Sequence, residues 1–170
     1  MTTSGYSLHN LKRGYSMRAV IQRVKSCSVD IAGQTVGSIG AGMLILLGVE
    51  AADTAEDIDW LVGKISRLRI FDDENGVMNL DINQVAGRAL VVSQFTLYAS
   101  TKKGNRPSYI RSAPEPISRP MYEQFVAKLS QTLGTDVPTG EFGVDMQVSL
   151  VNDGPVTILF DTEIWRKNGN

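Results

Sequence analysis

Met43-Leu44-Ile45-Leu46-Leu47-Gly48-Val49 is a continuous apolar run that follows the chain breaks at Gly40 and Gly42. It is far too short for the roughly 20 apolar residues of a membrane span. It also lacks the polar alternation of a strand with one wet face, so it reads as a central strand buried on both faces. A strand of that kind needs cover on each side, and the flanking sequence supplies candidates.

Upstream, Met17 to Val24 interleaves Val20, Ile21 and Val24 with Arg18, Gln22 and Arg23, and Cys27, Val29 and Ile31 then alternate with Ser28 and Asp30. Both stretches show the period-two pattern of a half-buried strand. Ala32-Gly33-Gln34 reads as a hairpin turn into a strand over 35–39. Downstream, Asp53 or Thr54 caps a helix whose Ile58, Leu61, Ile65 and Leu68 follow helical spacing, with Trp60 on its flank. Asp72-Asp73-Glu74-Asn75-Gly76 is a turn, and its acids lack the spacing and terminal glutamate of a calcium loop. Ala89 to Leu97 reads as a second buried strand. A second helix is expected over 118–133, with Pro120 in its first turn, a stripe of Tyr122, Phe125, Val126, Leu129 and Leu133, and Gly134 as its stop. Two further strands, 146–151 and 156–161, are joined by a turn at Asn152-Asp153-Gly154-Pro155. The order implies an α+β (mixed α/β) single domain, a mixed sheet with helices packed on one side.

The length of 170 residues suits one domain and not two. At 42% hydrophobic and 21% charged residues the chain reads as soluble and globular. It holds one histidine, His9, and one cysteine, Cys27. No internal disulfide is possible and nothing points to an oxidising compartment. Those two residues cannot build a Cys/His zinc site, and His9 lies in a stretch that reads as a tail. A Ser-His-Asp or Cys-His centre in the folded body is thereby disfavoured, and no metal or cofactor is expected. Residues 1–16 are polar, with Lys12 and Arg13 and no acid, and lack the apolar centre of a secretory signal. They fit a transit peptide, a disordered N-terminal extension or an upstream start. The extension or upstream start is favoured, because the alternating pattern begins at Met17. The expected domain therefore spans 17–165, with a short tail over 166–170.

Net charge is −1, which argues against generic nucleic-acid coating. The charge is unevenly placed. Between Ser100 and Pro120, Lys102, Lys103, Arg106, Arg111 and Arg119 face only Glu115. A local basic loop fits a phosphate contact at one place, and more often such a charge run is a solvated surface loop.

Two segments stand out chemically. In Ser93-Gln94-Phe95-Thr96-Leu97, three polar side chains arrive in four positions of an expected buried strand. Buried polar groups need partners, so either they bond neighbouring strands or the strand end opens into a pocket. In Asn152-Asp153-Gly154-Pro155-Val156-Thr157, glycine permits close backbone approach and proline removes an N–H while leaving a carbonyl. Taken alone, this segment is a tight turn.

Together these segments resemble the D-aminoacyl-tRNA deacylases, also called D-tyrosyl-tRNA deacylases. The similarity extends from Met17 to about Thr162. It includes Met17-Arg18-Ala19-Val20-Ile21-Gln22-Arg23-Val24, Leu68-Arg69-Ile70-Phe71, Ser93 through Ala99, Lys103-Gly104-Asn105-Arg106-Pro107-Ser108, Phe142-Gly143-Val144-Asp145-Met146 and Asn152 through Thr157. The resemblance implies a cytoplasmic, partly barrel-like homodimer. It implies hydrolysis of the ester joining a D-amino acid, or mischarged glycine, to the terminal adenosine of tRNA. On that pattern Gly154 and Pro155 are a cis pair inserted into the partner subunit as a chiral filter, with Arg23 steadying their carbonyls and Met146 nearby. Ser93, Gln94, Phe95 and Thr96 line the pocket, and Lys102, Lys103 and Arg106 receive the acceptor end of the tRNA. Thr96 is a poor nucleophile here, having neither an α-amine nor a histidine as base. Backbone N–H groups near Phe95 and Thr96 are the better expectation as oxyanion donors, with the tRNA ribose hydroxyl assisting proton transfer. The rivals are a paralogue with relaxed chirality, a non-catalytic RNA-binding module and a small-molecule ester hydrolase.

Overall fold

The computed structural model describes residues 16–163. The expected tails over 1–16 and 166–170 lie outside these residues apart from Ser16, which is fully buried. Met17 N–H donates to Thr162 Oγ1 at 2.9 Å and Thr162 N–H to Met17 O at 3.1 Å, so the two ends of the described chain are tied together.

The sheet is built on β1 (Arg18–Ile31). Along one edge β1 pairs antiparallel with β2 (Gln34–Ile39) through its second half and with β3 (Gly42–Gly48) through its first half. Along the other edge it pairs antiparallel with β7 (Gln147–Asp161). β6 (Arg88–Ser93) then joins β3 in parallel, and the result is a mixed, curled half-barrel sheet. A small hairpin of β4 (Phe71–Asp72) and β5 (Met78–Leu80) stands apart. The β1–β2 turn has positive φ at Ala32 (48°) and Gly33 (79°), the twist a two-residue hairpin turn requires.

β3 is the central strand expected from its apolar run. Met43, Ile45 and Leu47 enter one core, while Leu44 enters the other with Leu46 packed against it, as a two-residue side-chain period dictates. β6 repeats the division, with Ala89 and Val91 on one side and Leu90 and Val92 on the other. The larger core is closed by α1 (Ala55–Ser66) and α2 (Glu115–Leu133), both on the same face of the sheet. Ile58, Leu61, Val62 and Ile65 of α1 and Tyr122, Phe125, Leu129 and Leu133 of α2 are its buried stripes. Thr54 caps α1, and its amide donates to Asp57 Oδ2 at 2.9 Å. The smaller core lies on the opposite face, where Val24, Cys27, Val29 and Ile39 meet Leu44, Leu90 and Val92.

Three expectations are corrected. The strand expected over 89–97 ends at Ser93: Gln94 N–H makes a last bond to Leu47 O at 2.7 Å, and Phe95–Tyr98 winds into a 3-10 turn. α2 begins at Glu115 rather than Ser118, which puts Pro120 inside the helix instead of in its first turn. The strands expected over 146–151 and 156–161 are one strand, β7, and the supposed turn between them is an excursion within it.

Candidate active site

The end of the central parallel pair opens a cleft. Leu47 and Ser93 are register partners at the last rung of β3–β6, beyond which β6 passes into the 3-10 turn. The cleft, of about 600 Å³, is floored by Leu47, Gly48 and Val49 at the end of β3 and by Val92, Ser93, Gln94 and Phe95 at the end of β6. Ser112, Ala113, Glu115 and Ser118 form one wall at the start of α2, and Phe142 through Met146 with Val148 form the other. A glycine is needed at position 48, because a Cβ there would lie 2.8 Å from Tyr98 Cε2 and 3.2 Å from Gln94 O. The floor therefore depends on close approach of the β3 end to the turn.

Of the residues singled out from the sequence, Ser93, Gln94, Phe95 and Met146 come together at this cleft. Thr96 does not line it: its hydroxyl accepts a hydrogen bond from Gln94 Nε2, so it orients the glutamine. The amides of Phe95 and Thr96 are the first in a helical turn, and such amides have no intrahelical acceptor. Phe95 exposes its ring and packs edge-on to Tyr109 at 5.0 Å between centroids. Lys102, Lys103 and Arg106 are exposed on a loop closed at its neck by the reciprocal bonds Ser100 N–H to Ser108 O (2.9 Å) and Ser108 N–H to Ser100 O (2.8 Å).

Arg23, Gly154 and Pro155 assemble elsewhere, on the β1–β7 ladder. Gln22 pairs with Thr157 and Val24 with Asn152, so 153–156 bulge out opposite Arg23 alone. The Gly154–Pro155 peptide is cis, and both residues are exposed. Arg23 is buried beneath them. Its Nε donates to Asp153 O at 2.9 Å and its Nη1 to Ile70 O at 2.7 Å and Asp72 Oδ1 at 3.2 Å. Asn152 Nδ2 donates to Arg23 O and Val156 O, both at 3.0 Å, closing the base of the bulge. Within one chain this bulge is not part of the cleft wall.

Sequence reading missed the Ser112–Ala113 wall and a buried charge cluster behind the turn. Tyr98 donates from its phenol to Ser16 O at 2.5 Å, and the guanidinium carbons of Arg18 and Arg111 lie 5.0 and 5.8 Å from its ring centre. Burial, reinforced by nearby Asp53 and Glu50 and opposed by Arg18, holds the Tyr98 phenol far above its ordinary pKa. Glu50, a carboxylate directly after the apolar run, was the available signal. Among the described residues no helix is long and apolar enough to cross a membrane.

The sequence profile of the family described as D-Tyr-tRNA(Tyr) deacylase matches residues 20–161. A D-aminoacyl-tRNA deacylase of Dechloromonas aromatica is 58% identical over 148 residues, covering 87% of this chain and 99% of that protein. One of Chromobacterium violaceum is 61% identical over 146 residues, 86% of this chain and 97% of that protein. Among solved structures, the c-Myc DNA unwinding element binding protein superposes with a TM-score of 0.79 at 37% identity, covering 84% of this chain and 97% of that one. A structure described as a probable eukaryotic D-amino acid tRNA deacylase superposes with a TM-score of 0.75 at 17% identity, covering 86% and 99%, and shows the shared fold.

Proposed function

Since this chain belongs to the D-Tyr-tRNA(Tyr) deacylase family, we propose that it hydrolyses the ester of D-aminoacyl-tRNA, and of glycine mischarged on tRNA. The observation that carries this reading is the cleft at the β3–β6 end, floored by Ser93, Gln94 and Phe95. Water adds to the ester carbonyl carbon, the carbonyl electrons move onto oxygen, and the C–O bond to the ribose then breaks. The ribose oxygen leaves with a proton, giving free D-amino acid and tRNA. The developing oxyanion is met by main-chain N–H groups at the start of the 3-10 turn, that of Phe95 in the cleft lining and that of Thr96 beside it, each such donor being worth roughly 3 kcal/mol in a preorganised site. The neighbouring ribose hydroxyl relays the proton. His9, the chain's one histidine, lies outside the described residues.

Chirality is read by Gly154 and Pro155, acting in the cleft of a second copy. Their exposure, their absence from the wall of their own cleft and the frame of Arg23 and Asn152 beneath them support this reading. A rigid main-chain group that binds the α-amino group leaves no room for an L side chain. Rejection by clash needs no contact with the D side chain, so several D-aminoacyl-tRNAs serve as substrates. Lys102, Lys103 and Arg106 supply phosphate contacts to the acceptor end.

The test is deacylation of D-tyrosyl-tRNA, L-tyrosyl-tRNA and glycyl-tRNA beside a mock control, with the mass of the protein in solution measured in parallel. Release of D-tyrosine and glycine with L-tyrosyl-tRNA spared, by a dimer, is the expected result. Equal release of both hands of tyrosine overturns the chiral filter, and no release overturns the deacylase reading.

A further inference from the structure

Glu50 follows the central strand directly behind the cleft floor, and its side chain is 3% exposed. A buried carboxylate needs a paired charge. Arg111 supplies it, with Nη2 at 2.6 Å from Glu50 Oε1, and Ser16 Oγ donates to the same oxygen at 3.4 Å. The amide of Glu50 donates to Asp53 Oδ2 at 2.7 Å, so the carboxylate stands on a tied backbone. Arg111, by contrast, belongs to the segment returning from the basic loop. Two residues later Ala113 N–H donates to Val49 O at 2.9 Å, and Ser112 and Ala113 line the cleft.

The loop thus leaves the 3-10 turn after Tyr98, is closed at its neck by the Ser100–Ser108 bonds, and is fastened on its return by one main-chain bond and an ion pair between buried Glu50 and the partly exposed Arg111. Between these points it carries Lys102, Lys103 and Arg106, exposed and without an ion-pair partner among the described residues. Arg111 also stands 5.8 Å from the Tyr98 ring, so both ends of the loop meet at one aromatic residue. We infer that Glu50 is a positioning residue for the nucleic acid. Through Arg111 it fixes the direction in which the loop presents its cations, so that phosphates of the acceptor end are engaged while the ester lies in the cleft. Free lysines on an unfastened loop would attract RNA without registering it, and misplacement by an ångström can cost orders of magnitude in rate. The inference rests on the deacylase reading above.

The decisive comparison uses two substrates, D-tyrosyl-tRNA and the D-tyrosyl ester of the CCA trinucleotide, over a range of salt. Glu50→Gln removes the charge and keeps the shape. The double substitution Glu50→Gln with Arg111→Met leaves neither charge stranded and serves if the single variant folds poorly. With tRNA, kcat/KM is expected to fall about tenfold through KM. The slope of log kcat/KM against log salt becomes shallower by about one for each phosphate that the loop no longer engages. The trinucleotide ester is turned over within about twofold of the parent rate, since the cleft chemistry is intact. Equal losses on both substrates would show a merely structural pair, and an unchanged salt slope or unchanged tRNA kinetics would equally overturn the inference. Failure of the parent protein on D-tyrosyl-tRNA is a different outcome, which rejects the deacylase reading itself.

Discussion

Arg23 Nε donates to Asp153 O at 2.9 Å from a side chain whose Nη1 is held by Ile70 O at 2.7 Å. The guanidinium is thus a strut between the segment before β4 and the bulge of β7. Asp72 and Asp153 carboxylates lie 3.2 and 3.6 Å from it and keep it compensated. The bulge carries Gly154 and Pro155 outward, so its rigidity depends on a largely buried residue that does not line the cleft.

Arg23→Lys tests the strut. One ammonium cannot span the positions that a planar fork reaches. Losing hydrogen bonds from a charged donor costs about 1.5–3 kcal/mol. D-tyrosyl-tRNA turnover is expected to fall about ten- to a hundredfold, with the melting temperature lowered by several degrees. Parent-like kinetics in this variant would show that the bulge needs no support.

Gly154→Ala places a methyl where φ is +140°, a conformation L residues rarely adopt. The new Cβ would stand 2.8 Å from Val156 Cγ2 and 2.9 Å from Val156 N. Val156 is a buried residue at the margin of the larger core, so the bulge must shift around it while the strands and helices that build both cores stay in place. The expected outcome is loss of D-tyrosyl-tRNA hydrolysis with far-ultraviolet circular dichroism unchanged. Retained activity with retained sparing of L-tyrosyl-tRNA would remove Gly154 from the filter.

Thr96→Ala deletes the hydroxyl that accepts from Gln94 Nε2 and leaves the main-chain turn in place. If main-chain amides stabilise the oxyanion, kcat falls by no more than about tenfold, the share of one lost orienting bond. Complete loss with folding and tRNA binding intact would restore Thr96 as nucleophile.

Alkaline stability follows from the buried phenols. Desolvation, strengthened by Asp53 and Glu50, raises Tyr98 far above an ordinary tyrosine, and desolvation raises Tyr122 to about 12. A raised pKa means the folded state holds the proton more tightly than the unfolded chain, whose tyrosines titrate near about 10. The stability they contribute is intact below about pH 10 and is lost as pH rises toward the folded values. Chemical denaturation at pH 8, 10 and 11.5 should show a midpoint that drops only above pH 10. A drop that is no smaller in Tyr98→Phe with Tyr122→Phe would assign it to other groups.

Much of the architecture was legible because burial writes a periodic pattern. The central strand, the period-two first strand, the capped first helix and the Gly134 stop of the second all appeared where the pattern put them. The failures were local. Gln94 to Leu97 resembled strand continuation because polar residues at a strand end carry no period, whereas the turn after Ser93 brings Tyr98 close against Gly48. The 152–155 segment carries turn residues, yet pairing of β7 with β1 on both sides makes it a bulge, and only a partner strand can show that.

The cleft divides in the same way. Sequence alone determined which residue types are available: one histidine, one cysteine, a polar Ser93-Gln94-Phe95-Thr96 strand end, a Gly-Pro pair and a basic loop. The expectation of chemistry without a metal or histidine base followed from that inventory. Tertiary structure alone decided which of these meet. It brought Met146 and Ser112 into one cleft with Phe95, turned Thr96 onto Gln94, and laid Arg23 under Gly154. It also buried Glu50 against Arg111, sixty-one residues along the chain. The physical reason is that periodicity reports burial, a property of each residue with its nearest neighbours. A charge pair or a cleft is a relation between distant residues, fixed only when the sheet curls and its strands take their register.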